Sequence, residues 1–112
     1  MSTVFITQVP HRLNRETGEL EPLDMSAARE WGDPKVMLSP GANPFTSMPA
    51  IIDDLHASLE HITEDDYLIL VGNPAIMGFA AFIAGQYLKG RLRVLQWSGK
   101  VRRYNLIEAN AT

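Results

Sequence analysis

The chain contains no cysteine. It therefore forms no disulfide, thiolate zinc site or iron–sulfur site, and nothing in it indicates an oxidising compartment. The first ten residues lack the basic region, apolar stretch and small-residue cleavage site of a secretory signal. These absences predict a cytoplasmic protein.

Sequence motifs of catalysis and cofactor binding are also missing. Neither GxGxxG nor GxxxxGK[ST] occurs in the chain. His56 and His61 are five positions apart, whereas paired histidine ligands on a helix are typically four apart. We therefore expect no enzymatic activity, no metal site and no cofactor.

Acidic residues are scarce in the second half of the chain. Residues 1–66 hold 12 acids and 4 bases, whereas residues 67–112 hold 6 bases and one acid, Glu108. The halves carry −8 and +5 within a net charge of −3. Such asymmetry points to a polyanionic partner, unless the two halves simply neutralise each other in the folded domain.

The length of 112 residues, 46% of them hydrophobic, fits one domain spanning residues 1–112. Apolar or β-rich runs predict five strands, and two longer runs predict helices. The strands are expected at Thr3–Gln8, Lys35–Ser39, Tyr67–Gly72, Leu92–Trp97 and Val101–Ile107. The helices are expected from a Ser47 cap to about Ile62 and from Pro74 to Leu88. The order β-β-α-β-α-β-β predicts an α/β, three-layer-like domain with a mixed, mostly parallel sheet.

The long connection between the first two strands is polar. The run Glu16–Glu19 predicts a turn, such as that of a small surface hairpin. Asp24 is expected to cap a short helix at Met25–Trp31.

The segment Tyr67–Leu88 has no charge and is long enough to cross a bilayer. Gly72-Asn73-Pro74 near its middle instead predicts a strand, a turn and a buried helix, so no membrane span is expected. Gly72 and Asn73 would lie where an anion binds at a helix N-terminus, which makes them the anion-binding candidate. Ordinary turn chemistry explains the same residues.

Small residues form a seam along this second predicted helix, at Gly78, Ala81 and Gly85. The seam allows close approach either to the sheet, the expected neighbour, or to a second subunit. A homo-oligomer could form through this helix face or through the edge of the final hairpin.

The final predicted hairpin combines basic and aromatic residues. Its candidate contacts for nucleic acid or an acidic host protein are Lys89, Arg91, Arg93, Trp97, Lys100, Arg102, Arg103 and Tyr104. Basic side chains can bind phosphates while an aromatic ring stacks on an unpaired nucleobase. The same charges also protect an edge hairpin from pairing with other chains. Two alternatives are an inhibitory protein using the acidic surface of residues 16–33 and 53–66, and a nucleotide- or phosphate-binding domain at Gly72-Asn73.

Several short motifs follow one another along the chain in a characteristic order. They are Gln8-Val9-Pro10, Asn14–Leu20, Asp24–Ala28 with Trp31-Gly32, Asp65–Leu68, Gly72–Ala75, and Trp97 with Arg102–Tyr104. In this order the chain resembles small accessory proteins of tailed bacteriophages and integrated mobile elements. The resemblance implies a bacterial host cytoplasm and a regulatory or binding role, without a mechanism.

Overall fold

The computed structural model describes residues 2–9, 11–39 and 41–112. Its strands, in chain order, are β1 (Thr3–Ile6), β2 (His11–Leu13), β3 (Leu20–Pro22), β4 (Asp33–Val36), β5 (Tyr67–Ile69), β6 (Arg91–Ser98) and β7 (Arg103–Asn110). Its α-helices are α1 (Pro44–Leu59) and α2 (Pro74–Tyr87), and a 3-10 helix spans Ser26–Glu30.

The central sheet has five strands in the order β4-β1-β5-β6-β7. β1 pairs in parallel with β4 and β5, and β5 pairs in parallel with β6. The edge strand β7 runs antiparallel to β6. This arrangement confirms the predicted mixed, mostly parallel α/β sheet. The strands β2 and β3 pair as a separate hairpin, as the turn at Glu16–Glu19 indicated.

Two hydrophobic layers enclose the sheet. On one face both α-helices pack against β1 and β5, through residues such as Leu55, Ile76 and Leu68. The opposite face is covered by the segment around the 3-10 helix, where Ala28 and Trp31 contact Val4, Ile6 and Ile69 of the sheet. The third layer is therefore this short segment.

The start of α1 differs from the prediction. Asn43, rather than Ser47, caps the helix, because Asn43 Oδ1 accepts the Phe45 N–H at 2.9 Å. Ser47 has non-helical angles (φ −132°, ψ 24°) and marks a kink between a first turn and the main helix.

The predicted second strand is also displaced, since β4 begins at Asp33 and ends at Val36. Pro40, beyond its end, lies outside the described residues.

The prediction that α2 is a buried helix is wrong for one of its sides. Phe79 is 45% exposed and Phe82 is 64% exposed, although Ile76 and Ile83 are buried. A Cβ added at Gly78 or Gly85 would have no neighbour within 4 Å, so these two glycines do not meet the sheet. The reason is that a single layer of two helices covers only the sheet-facing and α1-facing sides of α2.

The uncharged segment from Tyr67 to Leu88 is divided between β5, a turn and α2. Across the described ranges, no helix is both long and apolar enough to cross a membrane.

Candidate nucleic-acid interface

The predicted contact residues all lie on or beside the β6–β7 ribbon, but the structure separates them into two groups. Lys89, Arg91 and Arg93 lie where β6 begins, which we call the strand-start end. The turn end comprises Trp97, Lys100, Arg102, Arg103 and Tyr104. A strand of eight residues is about 26 Å long. The eight candidates therefore do not form one continuous patch.

At the strand-start end the arginines have partners within the protein. Arg91 Nη1 lies 3.2 Å from Glu64 Oε1. Arg93 donates to the Glu64 carbonyl at 2.9 Å and to the Tyr67 hydroxyl at 2.7 Å. Its guanidinium carbon also lies 4.2 Å from the centre of the Tyr67 ring. Arg93 thus joins the beginning of β6 to the beginning of β5.

Acidic residues offset the positive charge at this end. Arg93 Nε is 3.3 Å from Glu108 Oε2, close enough for an ion pair but too poorly aligned for a hydrogen bond. A cleft of about 500 Å³ is lined by these arginines together with Glu64, Asp65, Asp66 and Glu108. Carboxylates outnumber guanidinium groups here, so the cleft does not attract anions.

Asp66, in the loop before β5, has a structural role. Its Oδ1 accepts the Thr3 N–H at 2.8 Å, and its Oδ2 accepts the Thr63 N–H at 2.8 Å. The side chain is buried and ties the start of β1 to the start of β5.

At the turn end Arg103 is also paired. Its guanidinium binds Glu30 of the 3-10 helix through two hydrogen bonds, of 3.2 and 2.7 Å. The hydrogen bond from Arg103 lowers the pKa of Glu30 below its ordinary value and raises that of Arg103. This pair holds the 3-10 segment against the ribbon.

Lys100 and Arg102 differ from the arginines just described. Within the described residues neither side chain has a hydrogen-bond or ion-pair partner, and both are exposed. Arg102 has a positive φ of 55°, and its N–H donates to the Ser98 carbonyl at 2.8 Å. The turn therefore runs from Ser98 to Arg102, longer than the three residues between the predicted strands Leu92–Trp97 and Val101–Ile107. It places Lys100 and Arg102 at its tip.

Trp97 and Tyr104 are directly opposite each other in the ribbon. Their rings are 5.1 Å apart in an edge-to-face arrangement. Tyr104 is buried, and this burial raises its pKa, whereas Trp97 is 47% exposed. Trp97 also forms a wall of a groove of about 290 Å³, lined further by Val71, Leu95 and Gln96. Of the two rings, only Trp97 is open to stacking.

The anion-binding candidate at Gly72 and Asn73 lies at the N-terminus of α2. The Ala75 and Ile76 N–H groups donate to Asn73 Oδ1, at 2.9 and 3.4 Å. The Asn73 N–H donates to Gln8 Oε1 at 3.2 Å. An anion would therefore have to displace the Asn73 or Gln8 side chain to reach these amides.

Gln8 has a role that the sequence analysis missed. It is buried two residues beyond the end of β1, and its Nε2 donates to the Ser39 carbonyl at 3.1 Å. A Cβ at Gly72, which has a φ of 98°, would lie 2.5 Å from Gln8 Oε1. Gln8 thus links the segments that follow β1, β4 and β5. The sequence feature that could have indicated this role is a polar residue just after an apolar strand.

The arrangement defines a small α/β domain in which the exposed Trp97 ring and two cations without partners among the described residues, Lys100 and Arg102, lie at one ribbon turn. In the part of the chain that the structure describes, no three histidine or carboxylate side chains come together as a metal site. Residues 2–111 match the family model of the Phage Pam3 gp32-like protein, so the chain belongs to that family. This membership confirms the resemblance to bacteriophage accessory proteins. No curated protein and no solved structure matches the chain.

Proposed function

We propose that this phage protein acts by binding, and that the turn end contacts single-stranded nucleic acid. The observation that carries the proposal is the exposed Trp97 ring within five residues of Lys100 and Arg102, two cations without acidic partners among the described residues. Cations that follow a phosphate backbone and an aromatic ring that stacks on a base are the parts of such a site.

A single strand suits this surface better than a duplex. A stacking ring needs an unpaired base with an open face, and single strands supply one. The groove beside Trp97 has apolar walls from Val71 and Leu95, with Gln96 as a polar neighbour. A base lying against Trp97 would contact these side chains.

The test is a fluorescence-anisotropy titration of labelled single-stranded DNA, single-stranded RNA and duplex DNA at several salt concentrations. Each phosphate contact on a single strand contributes about −0.7 to the slope of log K against log salt. Two or three contacts therefore predict a slope of about −1.4 to −2. We expect single strands to bind more tightly than the duplex.

The matched variants are Lys100→Glu with Arg102→Glu, and Lys89→Glu with Arg91→Glu. Both pairs change the net charge equally, but only the first pair alters the turn end. We expect the first variant to lose binding and the second to retain most of it. Equal weakening of both variants would contradict a localised site, and absence of wild-type binding at low salt would reject the nucleic-acid function.

A further inference from the structure

The two edges of the central sheet are built differently. The β4 edge has four residues, Asp33–Val36, and these include Pro34 and two charged side chains. The β7 edge has eight residues, Arg103–Asn110, without a proline. Natural proteins protect exposed edges with proline, charge and short length. The β4 edge has all three protections, whereas the β7 edge is long and contains only Arg103 and Glu108 as charges.

Both charges on β7 are neutralised within the same chain. Arg103 pairs with Glu30, and Glu108 lies 3.3 Å from Arg93. The edge therefore offers little to attract a strongly acidic or basic partner. It also presents no net charge that would repel an identical chain.

The main-chain groups of this edge are available for pairing. The Ala111 N–H donates to the Gly90 carbonyl at 2.8 Å, which makes these residues a hydrogen-bonded pair of the ribbon. Paired and unpaired positions alternate along an antiparallel ladder. Leu106, Glu108 and Asn110 therefore direct their N–H and C=O groups away from β6.

Apolar side chains are exposed both on this edge strand and on α2. Val94 packs in the core on the helix-covered face, and Ile107 is its direct partner in the ribbon, so Ile107 lies on that same face. Ile107 is 49% exposed, because α2 does not cover it. Phe79 and Phe82 project from the side of α2 that neither α1 nor the sheet covers.

We propose that β7 pairs antiparallel with β7 of a second copy of this chain, about a two-fold axis at Ile107. In this register residues 104–110 of both copies overlap, and the two Ile107 side chains face each other at a non-hydrogen-bonded position. Two copies then form one continuous ten-stranded sheet with their helices on the same face.

The size of the contact fits a reversible dimer. The overlap of seven residues is about 24 Å long, and the sheet and helix layers together are about 20 Å high. The resulting contact of about 500 Å² per partner is smaller than that of a stable interface and is typical of a weak, transient one, which the main-chain hydrogen bonds across the edge would strengthen.

Sedimentation velocity across a wide concentration range tests the dimer, with circular dichroism to confirm folding. The wild type is expected to reach twice the chain mass of 12.5 kDa. Ile107→Lys is expected to remain at the mass of one chain. Val36→Lys is the matched control, since Val36 is a β-branched residue, 43% exposed, on the other edge; this variant should dimerise like the wild type.

Cross-linking gives an independent test that also detects a weak dimer. The chain has no cysteine, so Ile107→Cys introduces a single thiol. Opposed residues at such positions have Cα atoms about 4.5 Å apart, within the range of a disulfide. Mild oxidation should cross-link Ile107→Cys but not Val36→Cys. A wild type that stays monomeric and an Ile107→Cys that does not cross-link would overturn the proposal, as would a dimer lost in Phe82→Lys but kept in Ile107→Lys.

Discussion

The two ends of the β6–β7 ribbon have similar numbers of basic residues but different surroundings. At the strand-start end Glu64 and Glu108 accompany Arg91 and Arg93, and one of the acids comes from a distant part of the chain. At the turn end Arg103 is paired with Glu30, but Lys100 and Arg102 extend from the tip without acidic partners among the described residues.

This difference shows that a count of bases does not measure the charge available for binding. The sequence places six bases after residue 88. In the fold, three of their guanidinium groups are paired with carboxylates of the protein. What the charge asymmetry predicted as one basic hairpin is therefore a neutralised end, whose arginines are held by carboxylates, and a cationic turn, whose Lys100 and Arg102 side chains are exposed.

The largest effect on stability is expected from Arg93→Ala at the strand-start end. The substitution removes two hydrogen bonds, to Glu64 and Tyr67, from a side chain that is 26% exposed. Charged hydrogen bonds in such settings are worth about 1.5–3 kcal/mol each, and partial exposure reduces this, so we expect a loss of about 2–3 kcal/mol in unfolding free energy. Urea unfolding measures it.

Lys89→Ala is the control for Arg93→Ala, because Lys89 is exposed and its side chain has no hydrogen-bond or ion-pair partner among the described residues. Its unfolding midpoint should match the wild type. Nucleic-acid binding should be nearly unchanged in both variants. If Arg93→Ala weakened binding while leaving stability intact, the division of roles between the two ends would be wrong.

The next largest effect is expected from Trp97→Ala at the turn end. Stacking on an aromatic ring contributes about 1–3 kcal/mol per base, and we expect about 1–2 kcal/mol here because Tyr104 already covers part of the ring. Anisotropy titration should show about five- to thirtyfold weaker binding. Trp97→Phe keeps a stacking surface and should recover most of the affinity. Equal loss in both variants would argue against stacking.

Local patterns predicted the centre of this fold well. The apolar run from Tyr67 followed by Asn73-Pro74 correctly indicated β5, its turn and α2, because strand propensity and helix capping depend on neighbouring residues. The pairing of the final strands was predictable for the same reason.

The candidate site was harder to predict from the sequence, because it depends on contacts between residues that are far apart in the chain. Arg91 and Glu64 are 27 positions apart, and Arg103 and Glu30 are 73 apart, so only the topology brings each pair together. The choice between Trp97 and Tyr104 as the exposed ring had the same origin. Both rings lie on one face of the ribbon, and the segment around Met25 covers only Tyr104.

A smaller effect is expected when the strand-start end is made more like the turn end. Glu64→Gln removes the carboxylate beside Arg91, whose side chain is 63% exposed. The freed guanidinium should strengthen single-strand binding by less than twofold, because Arg91 lies at the opposite end of the ribbon from the turn. The salt dependence should become slightly steeper. Asp53→Asn removes an exposed acid of α1 instead, and an equal gain there would show that only overall net charge matters.

The smallest effect concerns the exposed pair between Glu30 and Arg103. The pKa of Glu30 is lower in the folded protein than its ordinary value of 4.5, because Arg103 binds the carboxylate. Its contribution to stability is therefore fully present above pH 4.5 and is lost as the pH falls through the lower folded-state pKa. Glu30→Gln should be slightly less stable than the wild type at neutral pH, and the difference in urea midpoint should vanish in acid. A difference that persisted unchanged well below pH 4.5 would mean that Glu30 stabilises the 3-10 segment by packing rather than by charge.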